Sequence, residues 1–256
     1  MKRIKSLLFI GSTISALTIA LVSCKKDDPI VVPPTVGKLQ VAIEHVWGPS
    51  DVPFEFGVPY IHDVTGDTLS FSTLRYYFTN IRLKDDNGNW WAQPESYFIV
   101  DHSDPGSMLL ELENVPIGEY EAISFTFGVD SARNVSGAQS GALSAANAMF
   151  WSWTTGYIMI KVEGQSPQSS FGNFSFHLGG FSGPDKAVHT REQVFTQSIN
   201  ITETSTQTAF IRANPSKLWN GGTPLSTSAV IHVPGQLAGE MSYNFASWMH
   251  LDRIED

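Results

Sequence analysis

Cysteine is almost absent from this chain of 256 residues, in which Cys24 is the only one. A single thiol excludes a disulfide within the chain, and it excludes zinc or iron–sulfur sites built on several thiolates. Basic residues are also scarce, with 16 Lys and Arg against 25 Asp and Glu. Because an acidic protein repels phosphate backbones and anionic headgroups, nucleic acid is not an expected partner.

The usual catalytic motifs are missing as well. The sequence has no Gly-x-Ser-x-Gly nucleophile elbow, no phosphate-binding glycine loop with lysine, and no His-Glu-x-x-His helix. Scattered Asp and Glu residues leave a hydrolase with paired carboxylates as an alternative that nothing else supports. We therefore expect that the protein is not an enzyme.

The first 24 residues have the pattern of a bacterial lipoprotein signal. A basic start precedes the uncharged, mostly apolar run of residues 7–22, which is too short and too interrupted for a comfortable membrane span. The run ends in Leu21-Val22-Ser23-Cys24, which resembles a lipobox. We predict a signal peptide over residues 1–23 and lipid attachment at Cys24. An ordinary signal peptide with an accidental cysteine is the alternative.

Residues 24–37 are the predicted linker between the lipid and the folded domain. Lys25-Lys26-Asp27-Asp28 resembles the surface-export signal of Bacteroidota lipoproteins, and a solvated spacer is an equal alternative. The prolines that follow favour an extended, semi-rigid segment. We expect a lipid anchor in the outer membrane, with either a surface-exposed or a periplasmic domain over residues 38–256.

That domain is predicted to be all-β: an antiparallel Greek-key β-sandwich with short helical turns. Leu39, Val41 and Ile43 alternate with polar residues, as in a half-buried strand. Gly, Pro and Asn turns separate many further short apolar segments, which is typical of sandwiches. Strands are predicted at 68–83, 90–101 (interrupted at Pro94), 120–129, 157–162, 172–178, 193–203, 206–212 and 229–233. Helical turns are predicted near 144–150 and 237–250, and 130–148 is a long loop of the kind that is usually functional.

Three histidines have the strand context of candidate metal ligands. His45 shares the apolar face of its strand, His102 closes the apolar segment from Tyr97, and His177 precedes a Gly-Gly turn. Neutral imidazole is the commonest metal ligand in proteins, although a half-buried, hydrogen-bonded histidine is the more frequent outcome for any one of them. The other four histidines lie in more polar surroundings and are less informative.

Trp151 and Trp153 form a Trp-x-Trp pair, and in an extended segment both project from one face. Two indoles there form either part of the core or a platform, and composition alone favours the core because large aromatic side chains gain most from burial.

Five segments, in this order, resemble the MbnP-like copper-binding family. They are residues 74–83 (LRYYFTNIRL), 115–120 (VPIGEY), 127–134 (FGVDSARN), 149–157 (MFWSWTTGY) and 176–180 (FHLGG). The resemblance implies an extracytoplasmic β-sandwich that binds one copper ion, held as Cu(I), through histidines and an oxidised tryptophan.

In the family, a di-haem enzyme of the cytochrome c peroxidase/MauG type converts the first Trp of the pair to kynurenine. Trp151 has that position here and Trp153 is the second member. His177 matches the family's Phe-His-x-Gly element, and His45 matches a first-strand histidine less closely. His102, a methionine (Met149 or Met159) or water remains open as the third ligand.

A surface module that binds glycan or protein is the alternative function. It predicts an exposed platform made by Trp47, Trp90 or Trp91, with the histidines scattered.

Overall fold

The computed structural model describes residues 35–152 and 154–256. The predicted signal peptide, Cys24 and Trp153 lie outside these residues. Within them the strands are β1 (Val36–Trp47), β2 (Val52–Pro53), β3 (Pro59–Ile61), β4 (Thr68–Asp85), β5 (Trp90–Ala92), β6 (Tyr97–Asp101), β7 (Leu109–Pro116), β8 (Gly118–Phe127), β9 (Phe150–Ser152), β10 (Gly156–Gln165), β11 (Asn173–Gly179), β12 (His189–Ile201), β13 (Thr206–Ala213), β14 (Val230–Ile231) and β15 (His250–Glu255). The α-helices are α1 (Ser131–Asn134) and α2 (Gln236–Ser247), and short 3-10 turns occupy Pro105–Met108, Gly141–Leu143, Ala145–Asn147 and Pro215–Trp219.

Two sheets account for these strands. One has five strands in the order β15-β13-β1-β2, with β7 also paired to β1. The other has ten strands in the order β12-β8-β4-β10-β11-β14, and β4 also pairs with β3, β5 and β6 while β10 pairs with β9. The predicted all-β sandwich is confirmed. Most pairs are antiparallel, but β1–β13 and β11–β14 are parallel.

The core follows from alternation along the two longest strands. Leu39, Val41 and Ile43 of β1 are buried, as their spacing predicts. On β4, Leu74, Tyr76 and Phe78 are fully buried, whereas Arg75 between them is part-exposed on the opposite face. Since successive side chains of a strand point to opposite faces, β4 divides its residues between an inner face, toward the core, and an outer face.

Several strand boundaries agree with the sequence pattern and others do not. The segment from Trp90 to Asp101 is divided around Pro94 into β5 and β6, as predicted, and both pieces pair with β4. The two segments expected as a late strand pair are not partners: β12 pairs with β8 and β13 with β1. Strands β7 and β15, and the short strands β2, β3 and β9, were not predicted.

Helix α2 is the one longer helix in the described residues, and it packs against the ten-stranded sheet at Tyr76 and Phe127. Ala238, Met241 and Phe245 are buried at helical spacing, and the Phe245 ring contacts Tyr76 edge-on at 5.2 Å between centroids. No helix in the described part of the chain is long and apolar enough to cross a membrane.

The long loop after β8 covers the outer face rather than lying free. The hydroxyl of Tyr77 donates to the Ala142 carbonyl, and the hydroxyl of Tyr157 donates to that of Leu143. Asn134 is buried, and its side-chain carbonyl accepts the backbone N–H of Tyr157 at 3.0 Å. The loop therefore fixes the β9–β10 hairpin that carries Trp151.

Candidate metal-binding site

A histidine pair lies on the outer face of the ten-stranded sheet. The rings of His177, on β11, and His232, just after β14, are stacked with centroids 4.2 Å apart and an interplanar angle of 20°. The parallel pairing of β11 with β14 places them side by side. Ser175 Oγ lies 2.8 Å from Nε2 of His232 and 3.4 Å from Nε2 of His177. We call His177 and His232, with Glu163 and Ser175, the outer-face cluster.

Glu163, the neighbour on β10, determines which ring nitrogen of His177 carries the proton. Its Oε1 lies 2.7 Å from His177 Nε2. Burial alone would raise the pKa of Glu163, but the hydrogen bond from His177 and the charge of Lys161 outweigh it, so this pKa lies below its ordinary value. Burial lowers the pKa of His177, an effect that the bond to Glu163 only partly offsets. A carboxylate therefore accepts from a neutral imidazole, which leaves the lone pair on Nδ1 of His177.

Trp151 lies beside this cluster. A Cβ placed on Gly179 would lie 2.5 Å from Trp151 Cζ3 and 2.8 Å from the Tyr157 carbonyl oxygen, so the indole packs directly on the glycine backbone. Gly179 is two residues beyond His177 on β11, which puts both on one face about 7 Å apart. The structure thus packs Trp151 on the same face of β11 as His177, two residues along the strand, because a glycine leaves room for the indole.

A second histidine pair, His45 with His102, lies on the inner side of the sheet. Nδ1 of His45, at the end of β1, is 2.9 Å from Nδ1 of His102, which follows β6. Nε2 of His45 is 2.9 Å from the hydroxyl of Tyr76. His102 is half-buried against the rings of Phe54 and Phe56, at centroid distances of 4.9 and 4.6 Å. We call His45 and His102 the inner pair, to which the phenol of Tyr76 is hydrogen-bonded.

Burial fixes the protonation of the inner pair. It raises the pKa of Tyr76 well above the ordinary value, so the phenol keeps its proton. It lowers the pKa of His45 to about 3, with a contribution from the charge that His102 would carry. The buried O–H of Tyr76 finds its acceptor in Nε2 of His45, so Nδ1 of His45 donates to Nδ1 of His102. Both rings are neutral at pH 7.

The depressed pKa of His45 predicts acid sensitivity. The pKa of His45 is about 3 in the folded chain, against the ordinary value of 6.5 in the unfolded chain. Between these two pH values the unfolded chain binds more protons, so stability falls as the pH drops from 6.5 toward 3. Between pH 7 and pH 5, His45 accounts for a loss of roughly 2 kcal/mol. Urea unfolding of the wild type and of His45→Gln at both pH values measures it: the variant should lose less by about that amount, and equal losses would contradict the prediction.

A single copper site predicts that His45, His177 and Trp151 converge, with His102 open as a third ligand, and the structure does not bring these residues to one place. His177 is in register with Lys161 and, through it, with Arg75 of the outer face. Tyr76, the next residue of β4, faces inward and binds His45. The thickness of the sheet therefore separates His177 and Trp151 from the other two histidines. Alternation assigns residues to the two faces within one strand, but it does not show which faces of different strands coincide until their pairing is known.

The other residues singled out from the sequence have structural positions in the core or at its edge. Met149 and Met159 are fully buried, and the sulfur of Met159 accepts the backbone N–H of Val129. Trp47 is only 5% exposed and stacks on Tyr60, so it cannot belong to an exposed platform. Trp90 is half-buried under the guanidinium of Arg82, 4.7 Å from its ring centre.

Sequence reasoning missed His232 and Glu163. His232 follows a strand of only two residues, Val230–Ile231, whose partner β11 is about fifty residues away in the chain. Glu163 is one of many acidic residues, and only its register opposite Ser175 shows its proximity to His177. Alternation along β10 would have put Glu163 on the face of Lys161, but not beside a histidine.

The described residues thus form a β-sandwich with one histidine pair on each side of its larger sheet, and one of the pairs lies beside a tryptophan. No group of three or more His, Cys, Asp or Glu side chains in residues 35–152 and 154–256 is arranged to hold a metal ion. The protein is therefore an all-β protein with two candidate metal sites, each of which offers a pair of imidazoles.

The chain belongs to the MbnP family, whose sequence model matches residues 36–233. Among solved structures, MbnP from Methylosinus trichosporium shares the fold, with a TM-score of 0.52 at 14% identity over 79% of this chain and 83% of that one. No curated protein sequence matches the chain. The family resemblance stated from the sequence is confirmed.

Proposed function

We propose that this chain is an exported lipoprotein that binds one copper ion, as Cu(I), at the outer-face cluster and serves copper acquisition or homeostasis. The observation that carries the proposal is the packing of Trp151 on Gly179, two residues along the strand from His177. The MbnP family and its expected copper chemistry supply the identity of the metal.

The outer-face cluster suits copper in its donor set. Imidazole nitrogen is a good copper ligand, and His177 and His232 supply two rings in contact. Ligating histidines commonly donate their second ring N–H to a carboxylate, which orients the ring and raises its basicity. Glu163 has this position toward His177. We therefore assign His177 and His232 as the protein ligands and Glu163 as the residue that orients His177.

Two imidazoles leave copper short of donors, and a modified Trp151 would complete the set. Opening the indole to kynurenine breaks the C2–C3 bond and then, by hydrolysis, the C2–N1 bond: C3 becomes a carbonyl that carries the added oxygen, and C2 leaves as formate. An apolar ring thereby becomes an aromatic amine with a carbonyl. A di-haem enzyme of the cytochrome c peroxidase/MauG type would supply the oxidising equivalents. Trp151 is part-exposed, so an electron can leave it for a partner docked on this face.

Anchoring by acylated Cys24 in the outer membrane completes the proposal. A tether would keep the copper site at the cell envelope, where an exported protein meets the metal. Because a single acyl chain gives only marginal membrane binding, stable anchoring needs more than one chain.

Co-expression tests the function. We expect full-length protein that carries His102→Ala, to remove the inner pair, and is made with such a di-haem enzyme to gain one oxygen and lose one carbon by intact mass, and to contain one copper per chain by elemental analysis. In that background, His177→Ala should keep the mass change and lose the copper, whereas His250→Ala, an exposed histidine outside both pairs, should keep both. Unmodified protein, or copper that persists in His177→Ala, would overturn the assignment.

A further inference from the structure

The inner pair has a geometry that the proposed copper site does not use. Two Nδ1 atoms face each other at 2.9 Å and share one proton. Neither ring has a carboxylate hydrogen-bonded to it, in contrast to His177. We infer that His45 and His102 form a second site, specific for a monovalent soft cation such as Cu(I) or Ag(I), which takes the place of the shared proton.

The surroundings select the charge and coordination number of the cation. His45 is 7% exposed, and Phe54 and Phe56 border His102. Burial of a charge without compensating groups is costly, and the cost grows with the charge. Zn²⁺ in proteins is almost always four-coordinate, and the inner pair offers two nitrogen donors. Cu(I) and Ag(I) are stable between two nitrogens in a line, so they match this pair.

Tyr76 supports the first ligand. Its hydroxyl lies 2.9 Å from Nε2 of His45, so it holds the ring by the nitrogen that does not face His102. When the cation binds, the proton of His45 moves from Nδ1 to Nε2, and Nε2–H then donates to the phenol oxygen. No proton is released, because His45, His102 and Tyr76 each keep one. A partner on the second ring nitrogen is the usual support of a ligating histidine.

Movement of His102 would make room for the cation between the two rings. Metal–imidazole bonds are about 2.0 Å long, so a linear pair needs nitrogens about 4 Å apart, and the rings must separate by about 1 Å. His102 lies in the turn after β6, is half-buried, and is held by its backbone N–H bond to the Leu74 carbonyl. The carboxylates of Asp101 and Glu55 are close enough to act on the charge of His102, which favours a cation at this opening.

The test uses full-length protein carrying Cys24→Ser, so that no thiol binds the metal, made without any di-haem enzyme, so that Trp151 stays intact. Anaerobic titration with Cu(I) against a coloured Cu(I) chelator should show one bound equivalent. His102→Ala should lose it, and circular dichroism melting checks that the variant is folded. His177→Ala and His250→Ala should retain it.

Copper K-edge absorption provides the second readout, with two nitrogen neighbours and no sulfur expected. No binding in the parent, full binding in His102→Ala, or loss in His177→Ala would each overturn the second site. This experiment is independent of the proposed function, which requires a modified Trp151 and the outer-face cluster. Failure of one therefore leaves the other intact.

Discussion

Trp151→Phe is expected to abolish copper binding at the outer-face cluster, even when the di-haem enzyme is present. Phenylalanine fills much of the same space over Gly179, so the fold should persist. It cannot be opened to kynurenine, and the cluster then keeps only His177 and His232 as protein donors. In the His102→Ala background, which removes the inner pair, we expect the bound metal to fall from one copper per chain to none, with no change in intact mass beyond the substitutions.

Trp248→Phe is the matched control for this result. Trp248 is 49% exposed and lies under the ammonium of Lys217, whose nitrogen is 4.3 Å from the ring centre, and it is not among the residues of either histidine pair. The control should keep both the mass change and the copper. Retention of a full equivalent by Trp151→Phe would show that the metal does not need this residue, and a second variant, Trp151→Tyr, should agree with the first.

Gly179→Val is the second change with a large expected effect. The first carbon of the new side chain would lie 2.5 Å from the Trp151 ring and 2.8 Å from the Tyr157 carbonyl oxygen. The carbonyl oxygen belongs to the backbone, so it cannot move aside without distorting the strand. Overpacking of this kind costs about 1–3 kcal/mol. We expect a lower free energy of unfolding in urea, and a displaced indole that the di-haem enzyme oxidises poorly.

Asn173→Val, at the exposed beginning of the same strand, provides the comparison. It adds a β-branched side chain to β11 away from Trp151, and surface substitutions of this type change stability by roughly 0.5 kcal/mol or less. Equal effects of the two variants on stability and on kynurenine yield would contradict the packing role given to Gly179.

The fold was predictable from the sequence where local pattern decides it. Alternation located β1 and its buried face, and Pro94 marked the break between β5 and β6, because a proline cannot donate to the ladder. Partner choice was not predictable. The parallel pairing of β1 with β13 depends on the burial of both strands between others, and no local signal distinguishes it from an antiparallel hairpin.

The candidate site was predictable in the same partial way. His177 and Trp151 were both identified from their motifs, and the glycine two residues after His177 explains why the indole packs on the same face of that strand. His45 and His102 were identified too, but their separation from His177 depends on which face of β4 each neighbour uses. His232 was passed over because a histidine in a polar loop acquires meaning only from the strand it lies against.

The parallel pairing of β1 with β13 also governs when the domain can form. Lys38 faces Thr206 in that ladder, and the side chains of Thr208 and Gln40 are hydrogen-bonded across 168 positions of sequence. Contacts so distant in sequence slow folding, because a long loop must close before they are gained. Strand β1 therefore cannot complete its pairing until β13, 168 positions later in the sequence, is available. A chain truncated before residue 206 should aggregate rather than fold. Until β13 is available, the early part of the chain has to be kept from self-association.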